Sequence, residues 1–307
     1  MGERTDIAWA TSTFNPWIGC TKVGPGCDNC YAEALMDKRF GRVAWGSGNT
    51  RKRTSEANWR QPLRWNAEAA KTGQPWRVFC ASLADVFDND VDPAWRADLF
   101  DLIRRTPALT WMLLTKRIGN AEDMLPGGWY AGSESPNGPL PNVWLGATVV
   151  NQEEADRDIP KLLRVPAAVR FLSIEPMLGL INLTDFQPFR LHAYKSIKRA
   201  RGILNEKVDW VIVGGESGKQ ARPFHIEWAR DIVRQCKAAG VPVFVKQMGA
   251  NTLTNGISGP GQYWPVSVHR SDTGHGSFRA HLIDRAGADP DEWPADLRVR
   301  QFPQVSE

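Results

Sequence analysis

No apolar run in this chain approaches the roughly 18–20 residues that a membrane-spanning helix needs. The opening residues, MGERTDIAWATS, also lack the basic-then-apolar order of a secretory leader. A soluble cytoplasmic protein with no membrane partner is therefore expected. Cysteine is scarce and odd in number, five in 307 residues, which argues against a secreted disulfide framework. Neither an internal repeat nor a dividing linker is evident, so the expectation is one domain over residues 1–307, with a core supported by 42% hydrophobic content.

Charge is modest overall, +4, but unevenly placed. Residues 38–64 hold eight cations (Lys38, Arg39, Arg42, Arg51, Lys52, Arg53, Arg60 and Arg64) against the single acid Glu56, a local +7 that leaves the remainder at −3. A second run, Arg190, Lys195, Lys198, Arg199 and Arg201, contains no acid, although a solvated helix face is the plainer reading of it. Together they point to a polyanionic partner more than the net charge does.

Short β-branched and aromatic runs recur every 25–40 residues: RVFCASL (77–83), TWMLLT (110–115), VWLGATV (143–149), VRFLSIE (169–175), DWVIVGG (209–215) and VPVFVKQ (241–247), with a shorter strand leading to Cys20. Most are apolar on both faces, as strands covered by helices in a parallel sheet are. Helical periodicity fills the gaps in CYAEALMDKRF, AWRADLFDLIRRT, QEEADRDIPKLLRV and IEWARDIVRQCKAAG, the last stopped by Gly240. The expected class is α/β, a full or partial (β/α) barrel, with an open doubly wound sheet as the alternative. Two stretches break the rhythm: a basic, tryptophan-rich insertion at about 40–76 and a Gly/Pro-rich, irregular C-terminal extension at 250–307.

In such folds chemistry gathers at the carboxyl ends of the strands. Those ends carry Asp85; Thr115, Lys116 and Arg117; Thr148; Glu175; Gly214, Gly215 and Glu216; and Lys246 with Gln247. Carboxylates and cations on one rim suit a zwitterionic ligand; a structural ring of ion pairs is the competing reading. The diglycine of VGGESG permits close backbone approach, but it lacks the spacing of a dinucleotide fingerprint.

Three of the five cysteines fall in NPWIGCTKVGPGCDNCYAEALMDKR, with spacing C-x6-C-x2-C at Cys20, Cys27 and Cys30. Gly24, Pro25 and Gly26 let the intervening loop turn sharply. Cys80 and Cys236 lie in apolar and helical patterns and read as buried structural thiols. Three thiolates leave a structural zinc site one ligand short; the first histidine is His192, and a remote His225 is the candidate to complete it. A metal-free thiol cluster is another reading. A 4Fe-4S cluster held by three cysteines has one iron without a protein ligand, open to a small molecule such as S-adenosylmethionine.

Those residues, with SLADVFD, LLTKR, GATV, LSIEPML, VIVGGESG, ARPF, VFVKQMG and DEWPADLRVRQFP, resemble in order the phage-type three-cysteine radical S-adenosylmethionine family, from about residue 5 to residue 303. The resemblance implies a radical SAM barrel with its cluster loop after the first strand, a 4Fe-4S cluster on Cys20, Cys27 and Cys30, and S-adenosylmethionine as second cofactor. It implies cofactor contacts among Thr115, Lys116, Glu175, Gly214, Gly215 and Glu216, and catalytic roles for Lys116, Glu175 and Lys246. An electron donor such as flavodoxin or ferredoxin would be a partner, in the host cytoplasm where the chain is phage-encoded. The cysteine spacing is wider than the commoner C-x3-C-x2-C, and Glu216 follows a late strand where the usual Gly-Gly-Glu follows an early one.

Some members resemble enzymes that hypermodify thymine in phage DNA, moving an amino acid such as glycine from nitrogen to carbon attachment; an isomerase or mutase acting on a DNA base is the implied activity. The basic stretch gives DNA a separate argument. Arg51, Lys52, Arg53 and Arg60, interleaved with Trp45, Trp59 and Trp65, are placed to grip phosphates and stack on an extruded base. The plainer reading is that these tryptophans pack back onto the barrel. A non-catalytic zinc-binding nucleic-acid module, or a radical enzyme acting on RNA or a small metabolite, are the alternative functions.

Overall fold

The structure, a computed structural model, describes residues 4–129, 139–186, 207–255, 265–270 and 278–304. The second basic run, Arg190 to Arg201, and His192 lie outside the described residues.

Seven strands make the main sheet: β1 (Ser12–Phe14), β2 (Trp76–Cys80), β3 (Leu109–Thr115), β4 (Val143–Thr148), β5 (Val169–Ile174), β6 (Trp210–Gly214) and β7 (Val243–Gln247). They are hydrogen-bonded in chain order, β1 to β7, with β1 and β7 as the two edges. Pairing is parallel, with Ser12 opposite Val78, Trp111 opposite Val143 and Val243 opposite Val211 among the registers. A doubly wound sheet reverses its strand order at a switch point. This sheet winds one way throughout, as a partial (β/α) barrel does, and β1 and β7 do not pair to close it. Every residue of β4, β5 and β6 is buried, the mark of parallel strands covered on both faces.

The longer helices are α1 (Gln61–Thr72), α2 (Pro93–Arg104), α3 (Gln152–Arg164) and α4 (Ile226–Ala239). Asp92 caps α2 by accepting from the Ala94 N–H, and Pro93 supplies the pre-set first turn. Gly240 closes α4 at φ 67°, a left-handed position that a Cβ would strain.

Two expectations need correction. The stretch 40–76 is not simply an insertion, because α1 lies in it and forms the crossover between parallel strands β1 and β2. Its helical period is masked by polar residues, and only Pro62, Trp65 and Ala69 are buried along it. The tail is not irregular throughout: Thr252–Thr254, Phe278–Ala280 and Val268–Arg270 join Phe224–His225 in a four-stranded sheet. Strands of two or three residues leave too short a pattern to read.

Two compact units divide the chain, the first built from the described residues within 1–147 with Lys161–Arg170, the second from Thr148–Pro160 and the described residues from Phe171 onward. The division falls within α3 and within β5, so no composition shift marks it. No helix among the described residues is long and apolar enough to cross a membrane.

Candidate functional site

In the first unit the three cysteines follow β1. The strand expected to lead to Cys20 is Trp17–Ile18, which leaves the main sheet and pairs antiparallel with Lys52–Arg53. Gly19 follows at φ 110°, where any Cβ would stand 3.1 Å from Arg51 Cδ and from Val43 Cγ2. The Gly19 N–H donates to the Leu83 carbonyl at 3.1 Å and Asn15 Oδ1 accepts from the Leu83 N–H at 2.7 Å, tying this turn to the segment after β2. Pro25–Cys27 forms a 3-10 turn, and Cys30 caps the helical turn Tyr31–Glu33, which continues as the π-helical Ala34–Arg39. Cys30 packs against the apolar group Ile18, Ala32, Met36, Val43 and Leu83.

All three thiols are free. Arg117, at the end of β3, donates from Nη1 to Cys20 Sγ at 3.3 Å and from Nη2 to the Thr21 carbonyl at 2.6 Å. Burial pushes the Cys20 thiol up to about 12, with Asp85 adding to the rise and Arg117 opposing it. Burial acts to lower the Arg117 guanidinium, but Asp85, Cys20 and Asp88 hold it above its ordinary value. Lys22 pairs with Glu33 at 2.9 Å, and that contact raises its ammonium above the ordinary value.

Behind the thiols lies a buried ionic network. Asp85 accepts from Thr115 Oγ1 at 2.7 Å, from the Lys116 N–H at 3.0 Å and from Arg117 at 3.3 Å. Arg51 donates to Asp88 at 2.7 Å, to Asp90 at 2.9 Å and to Thr21 Oγ1 at 2.7 Å. The Thr115 hydroxyl both donates to Asp85 and accepts from the Arg117 N–H, which makes it a member of this network. Sequence reading missed the network because Arg51 and Arg117 meet Asp88 and Asp85 across 37 and 32 positions, with no local spacing to mark them.

Among the described residues no group of three or more His, Cys, Asp and Glu side chains is placed to hold a metal ion. For zinc, whose thiolates must close to about 2.3 Å around one point, the loop is therefore not preformed. His225, in the second unit, packs its ring 4.8 Å from that of Trp228. A four-iron cluster carries its thiolates on separate corners, and the donor set suits it: three free thiols on one loop, with a guanidinium on one sulfur. Cys80 and Cys236 are fully buried, as expected of structural thiols.

In the second unit, Lys246 at the end of β7 holds Glu175 after β5 at 2.5 Å. Glu216 after β6 takes Arg222 on both carboxylate oxygens, Nη2 at 2.8 Å and Nε at 3.1 Å, and also accepts the Arg222 N–H at 2.9 Å. Both carboxylates expected at a ligand are thus already paired, and Arg222 was not foreseen. The diglycine has an internal reason. A Cβ on Gly215 would lie 2.3 Å from the Met248 carbonyl oxygen, and one on Gly214 would lie 3.1 Å from that of Gln247. Neither position needs positive φ; both make room for the chain's own backbone, and Gln247 Nε2 seals the approach by donating to the Gly215 carbonyl at 2.8 Å.

The expected nucleic-acid contacts separate into two kinds. Arg51 has a fully buried side chain and is excluded as a phosphate contact. Trp59 is buried against Phe14 and carries Arg53 over its ring at 4.1 Å, and Trp65 is buried beside Trp76, so neither is free to stack on a base. Arg53 also pairs with Asp98 at 2.8 Å. Lys52 and Arg60 remain exposed, as do Lys38, Arg39, Arg42 and Arg64, while Trp45 is half-buried.

A family model described as a protein of unknown function, DUF5131, matches residues 4–284. No curated protein and no solved structure matches the chain.

Proposed function

Because the chain belongs to the DUF5131 family, whose description names no activity, we propose from its own residues that it is a radical S-adenosylmethionine enzyme. The observation that supports this most is the set of three free thiols on one loop, with the Arg117 guanidinium on Cys20. Cys20, Cys27 and Cys30 would hold three corners of a 4Fe-4S cluster. A cluster so held would supply single-electron reduction for cleavage of a carbon–sulfur bond in S-adenosylmethionine.

The chain's part is to bind and orient. Glu175 with Lys246, and Glu216 with Arg222, are opposite charges at strand ends of the second unit, the pairing that an amino acid's ammonium and carboxylate can exchange into. Lys116 is a further candidate cation, since only its backbone is committed to Asp85 by the hydrogen bonds described. Within the second unit, Glu175 and Glu216 follow β5 and β6, whose residues are all buried, and exclusion of water protects a radical.

For substrate we favour a base in DNA, modified by an isomerase or mutase type of step, with electrons from a carrier such as flavodoxin or ferredoxin. Support comes from the exposed cations Lys38, Arg39, Arg42, Lys52, Arg60 and Arg64, now without the stacking role for Trp59 and Trp65. Electron paramagnetic resonance of the reduced, reconstituted protein tests the cofactor reading: S-adenosylmethionine should change the cluster signal, and an indifferent signal would count against it. Deuterium carried from modified DNA into 5′-deoxyadenosine tests the substrate; none from any DNA would remove DNA from the account.

A further inference from the structure

We propose that Arg117 is the positioning residue of the cysteine centre, fixing Cys20 and raising the reduction potential of the cluster it ligates. The inference rests on the reading of the three cysteines as cluster ligands. Three features of the geometry carry it.

The guanidinium is used as a fork. Nη1 reaches Cys20 Sγ at 3.3 Å while Nη2 holds the neighbouring Thr21 carbonyl at 2.6 Å, so the ligand's side chain and the backbone beyond it are gripped from one plane. A lysine, with a single rotatable charge, has no such fork.

The fork is itself held rigidly. Asp85 takes Arg117 Nη1 at 3.3 Å, and its carboxylate is fixed in turn by Thr115 Oγ1 and by the N–H groups of Lys116 and Phe87. Arg117 is 9% exposed, so water competes weakly for its N–H groups.

Charge gives the sign. Reduction adds an electron to the cluster, and a cationic N–H on a ligating sulfur stabilises that added negative charge. Asp85, Asp88 and Asp90 act in the opposite sense and are countered by Arg117 and Arg51. Removing the Arg117 fork therefore leaves the acids to push the potential down.

The test compares the full-length wild type with Arg117→Lys and Arg117→Gln, each reconstituted anaerobically. Iron and sulfide are counted per chain, and the potential is read by dithionite titration followed by electron paramagnetic resonance. Arg117→Lys should disfavour the reduced form about tenfold, a shift of ~59 mV to more negative potential for a one-electron couple, and Arg117→Gln should shift it further. Folded variants that no longer take up iron would equally support the positioning role. Wild-type potential in both variants would overturn it, whereas a wild type that binds no cluster would overturn the cofactor reading itself. Should neither variant fold, wild-type protein labelled with 15N in its arginine side chains decides: a 15N coupling to the reduced cluster is expected, and its absence would refute the contact.

Discussion

Arg51 Nε donates to Asp88 Oδ2 at 2.7 Å with both side chains essentially closed to solvent. A cation that reads in sequence as part of a phosphate-binding run is thus a structural strut beneath the cysteine loop. Breaking a buried pair by removing one partner strands the other charge, at a cost of about 3–5 kcal/mol. Arg51→Ala should therefore lower unfolding stability by that amount in denaturant titration. Lys52→Ala and Arg60→Ala, at exposed positions, should stay within about 0.5 kcal/mol of wild type. If DNA is the partner, these two should instead weaken DNA binding and flatten its salt dependence.

The diglycine offers a second stability prediction. Gly215→Ala would drive a Cβ to 2.3 Å from the Met248 carbonyl oxygen, and backbone, unlike a flexible side-chain tip, yields little. Overpacking of this kind costs ~1–3 kcal/mol, so the variant should unfold earlier in a thermal scan. A wild-type midpoint would show that the β6 and β7 ends are looser than described.

Cys80 and Cys236 are fully buried, and burial raises both thiols, Cys236 to about 12. Alkylation needs the thiolate. A raised thiol is protonated at every pH below its shifted value, so native protein at about pH 8 should leave both unmodified, and denatured protein should label both. Mass spectrometry after iodoacetamide treatment reads this directly; rapid native labelling of either would contradict its place in the core.

The Lys246 and Glu175 pair bears on cofactor binding. If these charges exchange into contacts with an amino-acid moiety, Lys246→Met should weaken S-adenosylmethionine about 10–100-fold, the ~1.5–3 kcal/mol of a hydrogen bond to a charged group. Iron content should be unchanged. Isothermal titration with intact S-adenosylmethionine measures the affinity, and an unaltered value would mark the pair as purely structural.

The β/α rhythm was legible because six of the seven sheet strands are runs of five or more largely buried residues whose apolar character sequence displays. The crossover helix α1 was not, since three buried positions among twelve leave almost no amphipathic signal. At the candidate site, the three cysteines stand out in the sequence by spacing alone. Their support was not: Arg117 reaches Cys20 across 97 positions, Asp85 secures Arg117 across 32, and only folding brings them together. Arg51 and Trp59 misled for the same reason, because composition records charge and aromaticity but not which way a side chain faces.

The central claim is that Cys20, Cys27 and Cys30 hold a cluster that cleaves S-adenosylmethionine. Its most direct measurement is 5′-deoxyadenosine released by anaerobically reconstituted, dithionite-reduced protein, quantified by chromatography and mass spectrometry against a Cys27→Ala variant treated identically. The account predicts product from wild type alone; no product from wild type, or equal product from both proteins, would contradict it.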